Sequence, residues 1–186
     1  MSNPANSFSV VEIKQRQIFG DGKLLFEKPE VSDSEFLQAA YTHFEINYPK
    51  FFKMDNLCKT GFIAGELLLR GKNISEKYIA EETGIVLSSR NSSLDTDLRY
   101  QNTVKEAASP ALFVYTLPNV LIGELCIRHR IKGEAACFVF DIFDRVLQQN
   151  YLQQLFDSGK LKAGISGWAD YYNGNAEAVF EWMETT

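Results

Sequence analysis

Histidine and cysteine are scarce in this sequence of 186 residues, which holds two histidines and three cysteines. The cysteines, Cys58, Cys126 and Cys137, show no C-x-x-C spacing and stand among apolar residues, which is typical of buried, reduced thiols. His43 and His129 have no cysteine or carboxylate beside them at the spacing of a zinc or iron site. The sequence therefore predicts no disulfide framework, no metal and no cofactor.

Long apolar runs and an excess of positive charge are also missing. No stretch reaches the roughly 18 consecutive apolar residues of a membrane-spanning helix. Residues 1–6 have neither the basic head nor the apolar core of a signal peptide. A formal net charge of −5 does not favour nucleic acid or an anionic membrane surface as a partner. We expect a soluble protein of the cytoplasm.

Apolar residues are abundant enough for a sizeable core, since 45% of the sequence is hydrophobic and 13% is aromatic. No internal repeat, low-complexity tract or linker divides the chain. We predict one domain over residues 1–186, with residues 1–7 flexible because little in them can pack.

Strand and helix signals alternate along the chain. Residues 8–13 and 24–26 predict a hairpin, and residues 84–89, 135–140, 161–169 and 176–183 predict further strands. The helix signals are a capping box at Ser32 and Glu35, a helical period over 51–69, a cap at Thr116, and a helix from Ile142 with Asp141 as its N-cap. This alternation predicts an α/β fold with a partly parallel sheet.

Several blocks of the sequence stand in a recognisable order. They are Lys53-Met-Asp55, residues 83–97, the segment from Ser109-Pro110 through Leu117-Pro-Asn119 to Gly133, and residues 157–167. In this order and spacing they resemble the N-terminal half of the β-ketoacyl synthases, the decarboxylating condensing enzymes of fatty-acid and polyketide assembly. The resemblance implies a thiolase-like half, a three-layer α/β/α fold with a five-stranded mixed sheet.

The catalytic cysteine of that family has no counterpart where the resemblance places it. Counting forward from Gly133-Glu134 and backward from Ser158-Gly159 reaches Ile142, which cannot form a thioester. Cys137 lies five residues earlier, inside a predicted strand, and is a poor alternative nucleophile. The family's catalytic histidines and lysine come from a C-terminal half, and this sequence ends at Thr186. We therefore expect no independent condensing activity.

The resemblance also implies partners and a site. We expect a non-catalytic subunit of fatty-acid-like or polyketide biosynthesis that forms a homodimer, or a heterodimer with a complete ketosynthase. The expected dimer edge is the strand with Ala135, Ala136, Cys137, Phe138, Val139, Phe140 and Asp141. The other expected contacts are an acyl carrier protein on Arg128, Arg130 and Lys132, and an acyl pocket between the two halves of a dimer, lined by Phe113, Tyr115, Phe138 and Phe143.

Two alternative functions stay open at the level of the sequence. The chain could be a β-ketoacyl synthase-type acyltransferase that a partner polypeptide completes. It could equally be a structural or regulatory dimer that binds no acyl ligand.

Overall fold

A computed structural model describes residues 8–104 and 107–185 of the chain. The segment 1–7, for which the sequence predicts flexibility, lies outside these residues. The strands are β1 Val10–Lys14, β2 Gln17–Gly20, β3 Lys23–Glu27, β4 Thr83–Ser89, β5 Ala135–Val139, β6 Ala163–Tyr172 and β7 Asn175–Glu184. The α-helices are α1 Asp33–His43, α2 Asn56–Leu69, α3 Ile74–Lys77, α4 Leu94–Val104, α5 Pro110–Phe113, α6 Val120–His129 and α7 Arg145–Asp157, and 3₁₀ turns cover Pro49–Lys53, Ala80–Glu82 and Val114–Thr116.

All of these strands join one sheet in the order β3-β2-β1-β7-β6-β4-β5. β4 pairs in parallel with both β5 and β6, whereas the remaining pairs are antiparallel. Every residue of β4 is buried. An apolar run without alternation predicts burial on both faces of the sheet, and the structure of β4 confirms this prediction.

Helices cover the two faces of the sheet unequally. Ile85 and Leu87 of β4 pack into the main core with residues of α1, α2 and α6. Val86 points to the other face, where it joins a smaller cluster with Leu152 and Phe156 of α7. The result is a three-layer α/β/α arrangement, as the resemblance implies.

The sheet has seven strands, so the prediction of five is wrong. The local strand signals correspond to six of the seven strands, and the strand without a signal is β2, which follows β1 after only two residues. Gln15 and Arg16 make that turn with left-handed φ angles of 51° and 57°. Such angles are uncommon for residues other than glycine, asparagine and aspartate, so the turn carries no recognisable sequence signal.

Helix ends show which capping signals were informative. Ser32 and Glu35 form the predicted capping box at α1, and Gly159 ends α7 with a left-handed φ of 71°. The cap expected at Thr116 is wrong, because that residue ends a 3₁₀ turn and α6 begins at Val120. The apolar and proline signals between Ser109 and Pro118 belong to two short helical turns rather than to a helix start.

Among the described residues, no single helix has the length and apolar character needed to cross a membrane. Of the described helices, the bent pair Pro110–Thr116 and Val120–His129, at an angle of 93°, meets those two criteria jointly.

Gly133, at the entry to β5, is required by close backbone packing. A Cβ atom there would lie 2.6 Å from the carbonyl oxygens of Glu81 and Thr83, neither of which can move without disturbing β4. We expect Gly133→Ala to lower the free energy of unfolding by at least about 2 kcal/mol, measured by urea denaturation. Gly123→Ala in α6 is the matched control, because a Cβ atom added at Gly123 would meet nothing within 4 Å and alanine favours a helix by about 0.5–1 kcal/mol. Equal effects of the two substitutions would contradict this packing argument.

Candidate functional site

The candidate site lies where β4 and β5 end, because ligands of open α/β sheets bind beyond the carboxyl ends of parallel strands. Arg90 follows β4, and its Nε donates a hydrogen bond of 2.6 Å to the carbonyl oxygen of Asp141, which follows β5. A cleft of about 320 Å³ opens beside this link and is lined in part by Ile142, Phe143 and Trp168.

Asp170 of β6 fixes the segment after β4. Its Oδ1 accepts hydrogen bonds from Ser89 Oγ at 2.7 Å and from the backbone N–H groups of Arg90 and Asn91 at 3.1 and 2.8 Å. Its Oδ2 accepts from Asn91 Nδ2 at 2.6 Å. This buried carboxylate is fully occupied with holding the loop in place.

Ile142 does not lie in the first turn of a helix. The N-cap of α7 is Asp144, whose Oδ1 accepts from the Leu147 N–H at 2.9 Å, so the helix begins at Arg145. The predicted start at Ile142 and the predicted cap at Asp141 are therefore wrong. Ile142 precedes the cap by two residues and is 67% exposed.

Cys137 lies in β5 opposite Leu87 and packs against the main core. Burial raises the pKa of its thiol, and also that of Cys126 to about 11. The pKa of Cys58 is raised well above its ordinary value, chiefly by burial. Because the thiolate is the reactive form, none of the three thiols is activated for attack at neutral pH.

The four aromatic residues expected to line an acyl pocket do not meet in one cavity within a single chain. Phe138 stacks on Phe140 at 5.5 Å and belongs to the α7 face of the sheet. Tyr115 is buried in the main core on the opposite face. The physical reason is strand alternation, which sends Phe138 away from the side on which the Val114–Thr116 turn packs.

The other two residues of the expected pocket also stand apart. Phe143 lies 6.1 Å from Trp168 beside the cleft that contains Ile142. Phe113 is 53% exposed and has Tyr100 as its ring neighbour at 5.5 Å. Within one chain these four residues therefore line no common pocket, and the acyl pocket that is expected between the two halves of a dimer stays a prediction.

The basic residues expected to bind a carrier protein are partly paired within the chain. Arg128 makes a two-point contact with Glu66, at 2.9 and 3.0 Å. Lys132 lies 4.0 Å from Glu81. Arg130, which caps α6 with a left-handed φ of 57°, has no carboxylate within 4.0 Å among the residues that the structure describes.

The expected dimer edge is the outer edge of β5. The strand pairs with β4 on one side, and its other side is unpaired in the described part of the chain. Ala135 and Val139 are exposed, the latter by 57%. Asp141 is exposed as well and lies just beyond the end of the strand.

A second cleft, of about 530 Å³, has mostly polar walls and shares no lining residue with the first. It is lined in part by Asp55, Lys59, Arg99 and Tyr115. The sequence patterns did not reveal this site. The available signal was Lys59 itself, a charged residue inside the otherwise apolar helix α2.

Within the described residues, no group of three or more His, Cys, Asp or Glu side chains is arranged to hold a metal ion.

No protein-family model matches the sequence, and no curated protein matches it. Solved structures do match in fold. The ishigamide ketosynthase/chain length factor has a TM-score of 0.68 and 14% identity, over 97% of this chain and 62% of that chain. The ketosynthase ApeO in complex with its chain length factor ApeC, from Xenorhabdus doucetiae, gives 0.58 and 14%, over 86% of this chain and 75% of that chain.

A third similar structure is AntDE:AntF, described as a type II polyketide synthase acyl-carrier protein in complex with its ketosynthase. Its TM-score is 0.64 at 12% identity, over 96% of this chain and 61% of that chain. This chain thus spans about 62% of the first of these structures. The protein has the thiolase-like fold of ketosynthases and chain length factors, which confirms the fold implied by the sequence resemblance.

The contact between Glu66 and Arg128 also makes a testable contribution to the stability of the folded protein. Burial raises the pKa of Glu66, but contacts with His129 and Arg128 outweigh burial and bring the pKa below its ordinary value. A lowered pKa in the folded state stabilises the protein above the unfolded pKa, and this stabilisation is lost as the pH falls through the folded pKa. We expect Glu66→Gln to reduce stability at pH 7 and to approach the stability of the parent protein as the pH falls below the folded pKa of Glu66.

The measurement is urea denaturation of both proteins across that pH range. Glu81→Gln is the matched control, because Glu81 is largely exposed and lies 4.0 Å from Lys132, so its loss should change stability by less than about 1 kcal/mol. If the stability difference between Glu66→Gln and the parent protein does not depend on pH, the lowered pKa of Glu66 does not contribute to stability.

Proposed function

We propose that this protein is a non-catalytic, ketosynthase-like subunit that pairs through the outer edge of β5 with a complete ketosynthase. A second copy of the chain is the alternative mate. The observation that carries the proposal is the apolar edge strand itself, since unpaired edges of this kind favour association with another strand.

The backbone geometry of β5 suits strand pairing. The Glu134 carbonyl accepts from the Ile85 N–H at 2.9 Å, and the Phe140 N–H donates to the Ser89 carbonyl at 3.1 Å, so even-numbered residues turn their backbone groups toward β4. Because these groups alternate along a strand, Ala135, Cys137 and Val139 turn theirs outward. A partner strand would find a continuous row of donors and acceptors there.

The absence of a covalent role is supported by the chemistry of the thiols. Ile142 offers no nucleophilic atom, and burial raises the pKa of Cys137, which lies within a strand. A reactive cysteine requires the opposite environment, accessible and electropositive. The subunit would therefore contribute surface and shape to a complex rather than bonds to an acyl group.

The similar solved structures indicate the setting. Two of them are described as a ketosynthase with a chain length factor, and a third as a ketosynthase with an acyl-carrier protein. We infer a role in polyketide or fatty-acid-like biosynthesis. An acyl carrier protein is a second candidate partner, and Arg130 is the best placed of the three basic residues because Arg128 and Lys132 already face carboxylates.

The pairing can be tested with Val139→Pro. Proline removes an outward N–H without removing a bond to β4, so the monomer should keep its fold. We expect association with the mate to weaken at least about tenfold. Native mass spectrometry of the purified chain and co-purification from the native host, with detection of ketosynthase and carrier protein, provide the measurements.

Val139→Thr is the matched control, because threonine keeps both the N–H and the β-branched shape. The proposal fails if Val139→Pro associates like the parent protein. It also fails if the parent chain is monomeric and co-purifies with neither a ketosynthase nor a carrier protein.

The lack of covalent chemistry has a separate test. The purified protein is incubated with an acyl carrier protein that bears a mass-tagged acyl thioester, and the intact mass is then measured. We expect no acyl adduct on Cys137. An adduct on the parent protein that is lost in Cys137→Ser would favour the acyltransferase alternative instead.

A further inference from the structure

Lys59 is a buried cation for which the described residues supply no hydrogen-bond acceptor. It lies in the middle of α2 and is only 8% exposed. Its Nζ lies over the ring of Phe51, whose centroid is 5.8 Å away. Such burial is costly, because the ammonium group loses part of its hydration and gains no hydrogen bond in return.

Two further donors line the same cleft of about 530 Å³ and are also without an acceptor in the described structure. Arg99 is exposed on α4, and no carboxylate of the described chain lies within 4.0 Å of its guanidinium group. Tyr115 is 7% exposed, and its hydroxyl has no hydrogen-bond partner within the same residues. Burial raises the pKa of Tyr115, so the phenol keeps its proton and can donate.

The acidic residues of the cleft do not satisfy these donors. Asp55 Oδ1 accepts from the Cys58 N–H at 2.8 Å, and Oδ2 accepts from Thr96 Oγ1 at 2.6 Å, so its oxygens serve the helix start and α4. Asp95 also lines the cleft, and no described cation lies within 4.0 Å of its carboxylate. With Lys53 included, three cationic side chains face two carboxylates.

We propose that this cleft binds a small molecule through an oxyanion, a phosphate or carboxylate group held by Lys59, Arg99 and Tyr115. The oxygens of such a group would accept from all three donors, and charge-assisted hydrogen bonds are stronger than neutral ones. The cleft is larger than the anionic group alone requires, which leaves room for an organic portion. This inference is independent of the pairing proposed for β5.

The roles of Lys59 and Arg99 in anion binding can be tested by measuring the Tm of the full chain. The Tm in inorganic phosphate and in acetate is compared with the Tm in sodium chloride at equal ionic strength. A ligand that binds only the folded state raises the Tm in a saturable manner. We expect phosphate, acetate or both to do so, and the response will distinguish a phosphate site from a carboxylate site. Lys59→Met should abolish the effect, and Arg99→Gln should weaken the apparent affinity at least about tenfold.

The free protein provides a second measurement. Because the ammonium of Lys59 finds no acceptor in the described part of the chain, Lys59→Met should be at least as stable as the parent protein without added anion. Arg130→Gln is the matched control, since Arg130 is exposed and has no described carboxylate beside it but lies at the end of α6. The proposal is overturned if neither anion gives a saturable rise in Tm, or if Arg99→Gln responds like the parent protein. It is equally overturned if Lys59→Met fails to fold, because the ammonium would then serve the fold itself.

Discussion

The burial of β4 on both faces is the constraint on which the rest of the structure depends. A strand without a polar face needs a helical layer on each side, and α2 with α6 supplies one layer while α7 supplies the other. The side chain of Gln148 then connects α7 to the sheet: it donates to Ser88 Oγ of β4, and its Oε1 accepts from the Gly167 N–H of β6 at 2.9 Å. One amide thus fixes the position of the helix across two parallel strands, and it is fully buried because both of its ends are satisfied.

The same constraint produces the exposed edge. β4 lies between β6 and β5, and β5 has no neighbour on its outer side among the described strands. Glycines at the start of these strands allow the close approach, as at Gly84, where a Cβ atom would lie 2.6 Å from the Glu134 carbonyl oxygen. The sheet therefore ends in a strand that is paired with β4 on its inner side and, among the described strands, unpaired on its outer side. The proposed pairing uses a surface that the core itself creates.

Much of this fold could be predicted from the sequence, because its signals are local. Apolar runs predicted β4 and β5, and the Ser32–Glu35 box predicted the start of α1. The start of α7 could not be fixed, because Asp141 and Asp144 are equally good caps and Ile142 fits the helical apolar period. Whether Phe138 and Tyr115 share a cavity within one chain could not be predicted either, because it depends on which face of the sheet each residue occupies, and long-range packing decides that.

Lys59 shows why the proposed binding site could not be recognised in the sequence, where α2 has the pattern of a core helix. Its neighbours in α2 are apolar, and a helical lysine is normally a solvated surface residue. Tertiary packing buries Lys59 beside the Phe51 ring, and the position of α4 brings Arg99 to the same cleft. Desolvation lowers the pKa of Lys59, although the nearby charge of Asp55 opposes this effect. An anion in the cleft would raise the pKa of Lys59, as Asp55 does, and would also supply the missing hydrogen-bond acceptors. Anion binding and the stability of the charged form of Lys59 are therefore two measures of one interaction.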